Sequence, residues 1–327
     1  MQLTNLPELS ARDLAAVVAL AEYKSFMAAS ALLKVSQPTL SRTIRHVERT
    51  TGVALFVRTS RRVEITPAGR EFAAVAERVL NDLQLALRNM GDVASEQRGQ
   101  VIVSTYPIFA HQVLPQIVRD YRETRPHVEI HVRQGRFPEV LDDVYSGASD
   151  FGITYVDAVP EAIEGVVLRR ERMHVVVPAG HRLAKKRGDC NLADLEAETL
   201  VSLGRETYTR RLLDGAAANA GITLRHGVTV PGFLDVISLV RAGVGVGLLP
   251  SGVLPDRDRT VATRLIANPA ISIAVMLLTL RSRHLTPTAA SFMALTLETL
   301  TQETGTRGTV AKGTPRREPG RSRRAGY

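Results

Sequence analysis

Residues 25–58 read SFMAASALLKVSQPTLSRTIRHVERTTGVALFVR, and their punctuation decides the architecture of the first domain. Ser25 is a helix-capping residue, and Ala28, Ala29, Leu32 and Leu33 follow it inside a short helix, Phe26 to Leu33. Lys34-Val35 separates it from a second helix opened by Ser36. Pro38 falls in the first turn, where its missing N–H costs nothing, and Gly52 supplies a stop. Leu40, Ile44 and Val47 lie at i, i+4 and i+7, one face for a core. Thr39, Ser41, Arg42, Arg45, His46 and Arg49 are left on the other side. Two short helices in tight succession, the second with a polar and basic face, form a helix-turn-helix pattern.

Working outward, Ser10 caps an earlier helix whose apolar residues are Leu14, Val17, Val18 and Leu20. Downstream, Val53–Arg58 and Arg62–Ile65 flank the turn Thr59-Ser60-Arg61, a hairpin that reads as a wing with Arg58, Arg61 and Arg62 about its tip. Thr66-Pro67-Ala68-Gly69 then opens a long helix, roughly 67–90, with Phe72, Ala76, Val79, Leu83, Ala86 and Met90 spaced 4-3-4-3-4. That heptad seam predicts a dimerising linker, and 95–99 (SEQRG) reads as a hinge.

From Gln100 strands alternate with helices. Strands are expected near 101–103, 127–133, 151–153, 166–177, 226–230, 244–249 and 271–280. Helices are expected near 108–123, 138–146, 192–195, 208–220, 233–242 and 287–303. This βαβ rhythm implies an α/β domain whose ligand sites lie at strand carboxyl ends. The expected domains are therefore 1–66, a 67–99 linker and hinge, 100–304, and a Gly-, Pro- and Arg-rich tail at 305–327 that lacks the apolar residues to fold.

The chain has 327 residues, 44% hydrophobic and 23% charged, an ordinary balance for a soluble protein of two or three domains. Its net charge is +9, held at the ends: nine Lys/Arg against five Asp/Glu in 1–65, and seven against one in 305–327. Basic ends on a near-neutral body suit an anionic polymer, most simply nucleic acid. A single cysteine, Cys190, excludes an internal disulfide framework. The longest apolar runs, Leu14–Ala21 and Ala270–Leu280, fall short of the ~18–20 residues a bilayer span needs. With no basic, apolar leader at the N-terminus, a cytoplasmic location and no membrane partner are expected.

The ordered set Ala28-Ala29, Leu32-Leu33, Val35 through Arg42, Ile44, Val47-Glu48, Gly52 through Arg58 and Thr66 through Gly69 resembles the DNA-binding half of LysR-type transcriptional regulators. Residues 176–184 (VVPAGHRLA) and 239–250 (LVRAGVGVGLLP) resemble that family's regulatory half. The resemblance implies an α/β chain with an N-terminal winged helix-turn-helix, a long linker helix, and a two-subdomain α/β domain similar to periplasmic solute-binding proteins. It implies a regulator, not an enzyme, that needs no cofactor or metal. Its partners would be double-stranded DNA, a small-molecule effector, further copies in a homodimer or homotetramer, and RNA polymerase as a further candidate.

On that reading the helix after Ser36 enters the major groove. Ser36 caps it and can donate to phosphate; Gln37 can pair with adenine, and Arg42 with guanine or phosphate. Pro38 and Thr39 can meet a thymine methyl, Ser41 shares their face, and Arg45 and Arg49 hold phosphates. Arg58 and Arg61 serve the wing. The resemblance places the effector between the subdomains, lined by Thr105, Tyr106 and Ile108, by Arg136-Phe137, by Ser202 and Thr207-Tyr208-Thr209, and by Phe233. The start of the helix near Ile108 offers N–H groups to an anion. Ile108 and Arg136 stand where many family members carry hydroxyls. Arg136, Arg205 and Arg210 are then either a carboxylate or phosphate clamp or solvated surface.

Three other signals are set aside. His127, Glu129 and His131 alternate with Val128, Ile130 and Val132, a polar strand face rather than a metal site. Gly243, Gly245 and Gly247 miss the dinucleotide fingerprint by one residue. Cys190 lies in a polar stretch without a second, resolving cysteine. An enzyme that turns over its ligand in the cleft would need a nucleophile–base pair that no motif supplies, and an exported solute-binding protein would leave the helix-turn-helix idle.

Overall fold

The computed structural model describes residues 8–58, 63–92, 98–255 and 258–307. Ser10 and Asp13 cap each other's backbone at the start of α1 (Ala11–Tyr23). Ser25 caps α2 (Phe26–Leu32), and Ser36 caps α3 (Gln37–Thr51), which stops at Gly52 in the left-handed region at φ 74°. Val17, Leu20, Ala29, Ile44, Val47 and Leu55 are fully buried between these helices. The hairpin β1 (Phe56–Arg58) and β2 (Val63–Ile65) pairs Phe56 with Ile65. Glu48 ties it to α3: its Oε1 accepts the N–H groups of Leu55 and Phe56 at 2.9 and 3.1 Å.

The linker α4 (Pro67–Asp92) divides the expected seam. Phe72 packs against the core of its own domain, and Ala76 is buried. Val79 and Leu83 are exposed, and with Val75 and Leu87 they make an apolar stripe along the outside. The side chains of Ala86 and Met90 lie outside the described residues, as do 95–97 of the expected hinge. Its last two residues belong to β3, which starts at Arg98.

Ten strands of the described residues then form one mixed sheet. In the first lobe β3 (Arg98–Thr105) is flanked in parallel by β4 (His127–Gln134) and β5 (Phe151–Tyr155). α5 (Pro107–Gln112), α6 (Leu114–Thr124) and α7 (Phe137–Ser146) follow β3 and β4. The single helix expected over 108–123 is broken at Val113, because Pro115 in the first turn of α6 has no N–H to continue the ladder.

The long strand β6 (Ile163–Pro178) carries the chain into the second lobe. There β7 (Cys190–Asn191), β8 (Thr199–Leu203), α8 (Tyr208–Asn219), β9 (Arg225–Val230), α9 (Phe233–Arg241), β10 (Val246–Pro250) and β11 (Val261–Asn268) follow. β12 (Ser272–Leu280) returns along β6 and reaches β5, and α10 (Pro287–Arg307) covers the first lobe. Residues 163–172 of β6 pair with β12, while 173–178 pair with β10 and β11, so β6 is shared by the two lobes. The strands β7, β8 and β11 were not read from sequence. α10 runs to Arg307, past the expected boundary at 304; residues 308–327 of the tail lie outside the described residues.

Candidate functional site

The exposed side of α3 carries the basic row. Gln37, Pro38, Thr39, Arg42, Arg45 and Arg49 are exposed, and Ser41 is half-buried beside them. Ser36 Oγ accepts the Thr39 N–H at 3.3 Å and bonds Thr39 Oγ1 at 2.7 Å. Arg42 Nε donates to Pro38 O, Arg45 Nη2 to Ser41 Oγ and Arg49 Nε to Arg45 O, which lays the guanidinium groups along the helix. Arg42, Arg45 and Arg49, with Glu48, Gly52, Val53 and Ala54, line an open groove of net positive charge. Such a cationic groove beside a capped helix suits a phosphate backbone. One residue leaves the expected set: His46 is half-buried, and its Nε2 hydrogen-bonds Glu8 O at 3.1 Å. Arg61 lies outside the described residues, and so does the side chain of Arg58.

A cavity of about 350 Å³ opens where the first lobe meets the start of α8. Its residues follow the carboxyl ends of parallel strands, where open α/β sheets bind ligands. Tyr106 follows β3, Arg136 and Phe137 follow β4, and Thr207, Tyr208 and Thr209 follow β8; all six were expected there. Thr154 and Tyr155 end β5 and were missed because the strand was read as stopping at Ile153. Pro138, Glu139, Glu206 and Arg211 were missed too.

Arg136 spans the cleft. Its Nη2 pairs with Glu139 of the same lobe and its Nη1 with Glu206 of the other, each at 3.0 Å. A second bridge runs from Tyr208 Oη to Asp157, which also meets Arg170. The lining holds two arginines, Arg136 and Arg211, against two glutamates, so its charge is balanced. Burial pushes Tyr106 up to about 12, and burial with the Asp157 hydrogen bond does the same to Tyr208. Tyr155 is raised well above the usual phenol range by burial and by Glu171. Tyr106 Oη and Thr154 Oγ1 are buried with no hydrogen-bond partner among the described residues.

Four expected lining residues stand elsewhere. Thr105 is fully buried and donates to Ile153 O. Ile108 points into the core of the first lobe, and the short α5 is a poor anion site: Pro107 lacks an N–H, and the Phe109 N–H is spent on Tyr106 O. Phe233 stands behind the wall, its ring 5.5 Å from Tyr106 and 5.8 Å from Tyr155. Ser202 bonds His226 Nδ1 at 2.6 Å, and His226 Nε2 meets Asp214 at 3.1 Å. Arg210 is also drawn inward: it is buried, with Nε on Asp214 and Nη1 on Leu203 O. Arg205 is exposed and does not line the cavity. The three-arginine clamp thus reduces to Arg136. Cys190 is buried in β7, not polar surface, and burial pushes its thiol up.

Comparison with known families decides what these two sites belong to. Residues 11–70 match the profile of the bacterial regulatory helix-turn-helix proteins of the lysR family, and residues 94–301 match the LysR substrate binding domain. The second match alone covers more than half of the chain. This protein belongs to the LysR family.

As a LysR-type regulator it binds DNA through the helix-turn-helix and a small-molecule effector through the two-lobed domain. It is a transcriptional regulator, not an enzyme. The Ser202–His226–Asp214 chain of hydrogen bonds is accordingly a fastening between β8, β9 and α8. This regulator is 30% identical to the DNA-binding transcriptional dual regulator OxyR of Escherichia coli over 253 residues, 77% of this chain and 82% of that one. Among solved structures it is similar to a full-length OxyR variant from Pseudomonas aeruginosa, with TM-score 0.66, 21% identity, and coverage of 90% and 95% of the two chains. Full-length CbnR in complex with its target DNA gives TM-score 0.63 at 23% identity, with 89% and 100% covered. No described helix of this LysR-type chain is long and apolar enough to cross a membrane.

Proposed function

We propose that this regulator answers to a small monocarboxylate, with an apolar or ring-bearing body, that takes Arg136 from Glu206. The observation that carries the reading is the Arg136–Glu206 pair across the cleft, 3.0 Å long and exposed. An exposed ion pair in water contributes little, so a ligand carboxylate can replace it. A dianion would meet Glu139 and Glu206 in a lining with no spare positive charge. Tyr106, Phe137, Tyr155 and Tyr208 offer ring faces, and the hydroxyls of Tyr106 and Thr154 offer donors to a ligand oxygen.

In the same reading α3 lies in the major groove. Gln37, Pro38, Thr39, Ser41 and Arg42 face base edges; Ser36, Arg45 and Arg49 hold phosphates, and Arg58 and Arg61 extend the contact on the wing. The stripe Val75, Val79, Leu83 and Leu87 is covered by a second copy, and the protein works in the cytoplasm, where its DNA is. The units are 1–66, 67–97, 98–307 and the remaining tail.

The test is a thermal-shift comparison of matched monocarboxylates, their amides and dicarboxylates, on the wild type and on Arg136→Ala. Stabilisation by monocarboxylates alone, absent in Arg136→Ala, is the expected result. Equal shifts from the amides, or shifts that survive in Arg136→Ala, would overturn the reading.

A further inference from the structure

Helix α7 reaches from the cavity to the linker helix. Its cap Arg136 and its first residues Phe137, Pro138 and Glu139 line the cavity. At its other end Ser146 O accepts from Asn81 Nδ2 of α4 at 2.8 Å, and the Arg78 guanidinium stacks 4.7 Å from the Tyr145 ring centroid. Ten residues of helix are about 15 Å of stiff rod. Gly152 seats the rod on β5: an added Cβ there would stand 2.7 Å from Val140 Cγ1, and Val140 and Val144 are buried against the strand.

Resting on the reading of the cavity as the effector site, we infer that α7 carries the cavity's state to the linker, with Asn81, Arg78, Tyr145 and Ser146 as the positioning contact. Two further observations support it. The contact is opposed as well as made: the charges of Asp142 and Asp143 of α7 and Glu22 of α1 act against a charge on Glu77 of α4, with Arg133 of β4 working the other way. Burial and these like charges raise the Glu77 carboxyl above its ordinary range. Among the described residues a hydrogen bond and a stacked cation hold this contact while like charges resist it, which suits an element that shifts between two arrangements. The linker is also free to use it while paired. At about 100° per residue, Glu77, Arg78 and Asn81 project nearly opposite to the exposed stripe Val75, Val79, Leu83 and Leu87. One side of α4 meets α7 while the other stays open to a second copy.

Hydrogen exchange read by mass spectrometry on the full chain tests this without an effector. Glu206→Ala removes the pull on Arg136 at the cavity end. It is expected to speed exchange in the peptide spanning 77–84 by about fivefold, the size of a lost contact of this strength. In the Arg78→Ala/Asn81→Ala background that peptide exchanges at the faster rate already, and adding Glu206→Ala changes nothing. Unchanged exchange across α1–α3 shows that the first domain stays folded. An unmoved 77–84 peptide in Glu206→Ala, or an equal response in both backgrounds, would overturn the inference. A response that passes through Asn81 while monocarboxylates fail to stabilise the protein would sink the proposed effector and leave the link standing.

Discussion

Removing the Glu171 carboxylate is expected to cost the effector-binding domain about 3–5 kcal/mol, the range for breaking a buried ion pair from one side. Its side chain is 2% exposed and that of Arg169 is 8% exposed. The carboxylate accepts from Arg169 Nε at 2.7 Å, from Tyr155 Oη at 3.0 Å and from Gly252 N at 3.0 Å. These donors come from β6, from the end of β5 in the first lobe, and from the turn after β10 in the second. Three hydrogen bonds to a charged acceptor, at roughly 1.5–3 kcal/mol each, bound the loss from above; release of the carboxylate's own desolvation cost lowers it. Glu171→Ala and wild type are compared by urea unfolding. With a slope of about 2 kcal/mol per molar, the midpoint should fall by roughly 1.5–2.5 M. Glu171→Gln keeps the shape and an acceptor oxygen, and should lose clearly less. A loss under about 1 kcal/mol in Glu171→Ala would refute the view that this carboxylate pins the lobes together.

Three further outcomes follow from the geometry. Arg42→Ala should weaken binding to a selected DNA site by about 1–3 kcal/mol and leave the melting curve unchanged, since Arg42 is exposed; equal gel-shift affinity would remove Arg42 from the interface. Leu83→Asp on the exposed stripe should shift the protein toward monomer in sedimentation at micromolar concentration, and an unchanged oligomer would place the partner elsewhere. Tyr106 and Tyr208, raised to about 12, and Tyr155, also raised well above the usual phenol range, should ionise late in a tyrosinate absorbance titration, which no tryptophan obscures. A raised phenol contributes stability in full below its unfolded pKa near 10 and loses it as pH climbs to the folded value, so unfolding should become easier from about pH 10 upward. Ordinary titration of every tyrosine would contradict the burial of the cavity wall.

The first domain was readable because its instructions are short-range. Ser10, Ser25 and Ser36 cap helices within three residues of themselves, and Gly52 ends α3 by adopting a left-handed conformation that costs other residues energy. The seam in α4 was readable only as an apolar face: periodicity does not say whether Ala76 meets its own domain or Val79 meets another copy. The cavity was reached through the family resemblance, which named Tyr106, Arg136 and the turn Thr207–Thr209; all of them follow the carboxyl ends of parallel strands. The resemblance erred at neighbouring positions. Thr105 and Tyr106 are adjacent, yet only Tyr106 lines the cavity, and Ser202 turns to His226. Side chains alternate along a strand, so a site placed correctly to within one residue can still name the wrong face.

Sequence alone determined the order of the parts: a capped helix-turn-helix, a linker helix with an apolar face, an α/β domain, and the family to which they belong. Those features reside in spacings of a few residues, where local hydrogen bonds and the helical or strand period act directly. Tertiary structure decided the rest. It turned Arg210 inward to Asp214 and sent Arg136 across the cleft to Glu206, 70 residues away. It brought Gly252 to Glu171 over 81 residues, and set Asn81 of the linker on Ser146. A charged side chain on a helix or loop has the same local signature whether it meets solvent, a buried partner or a ligand. Only the packing of distant strands, driven by burial of the shared core, chooses among them.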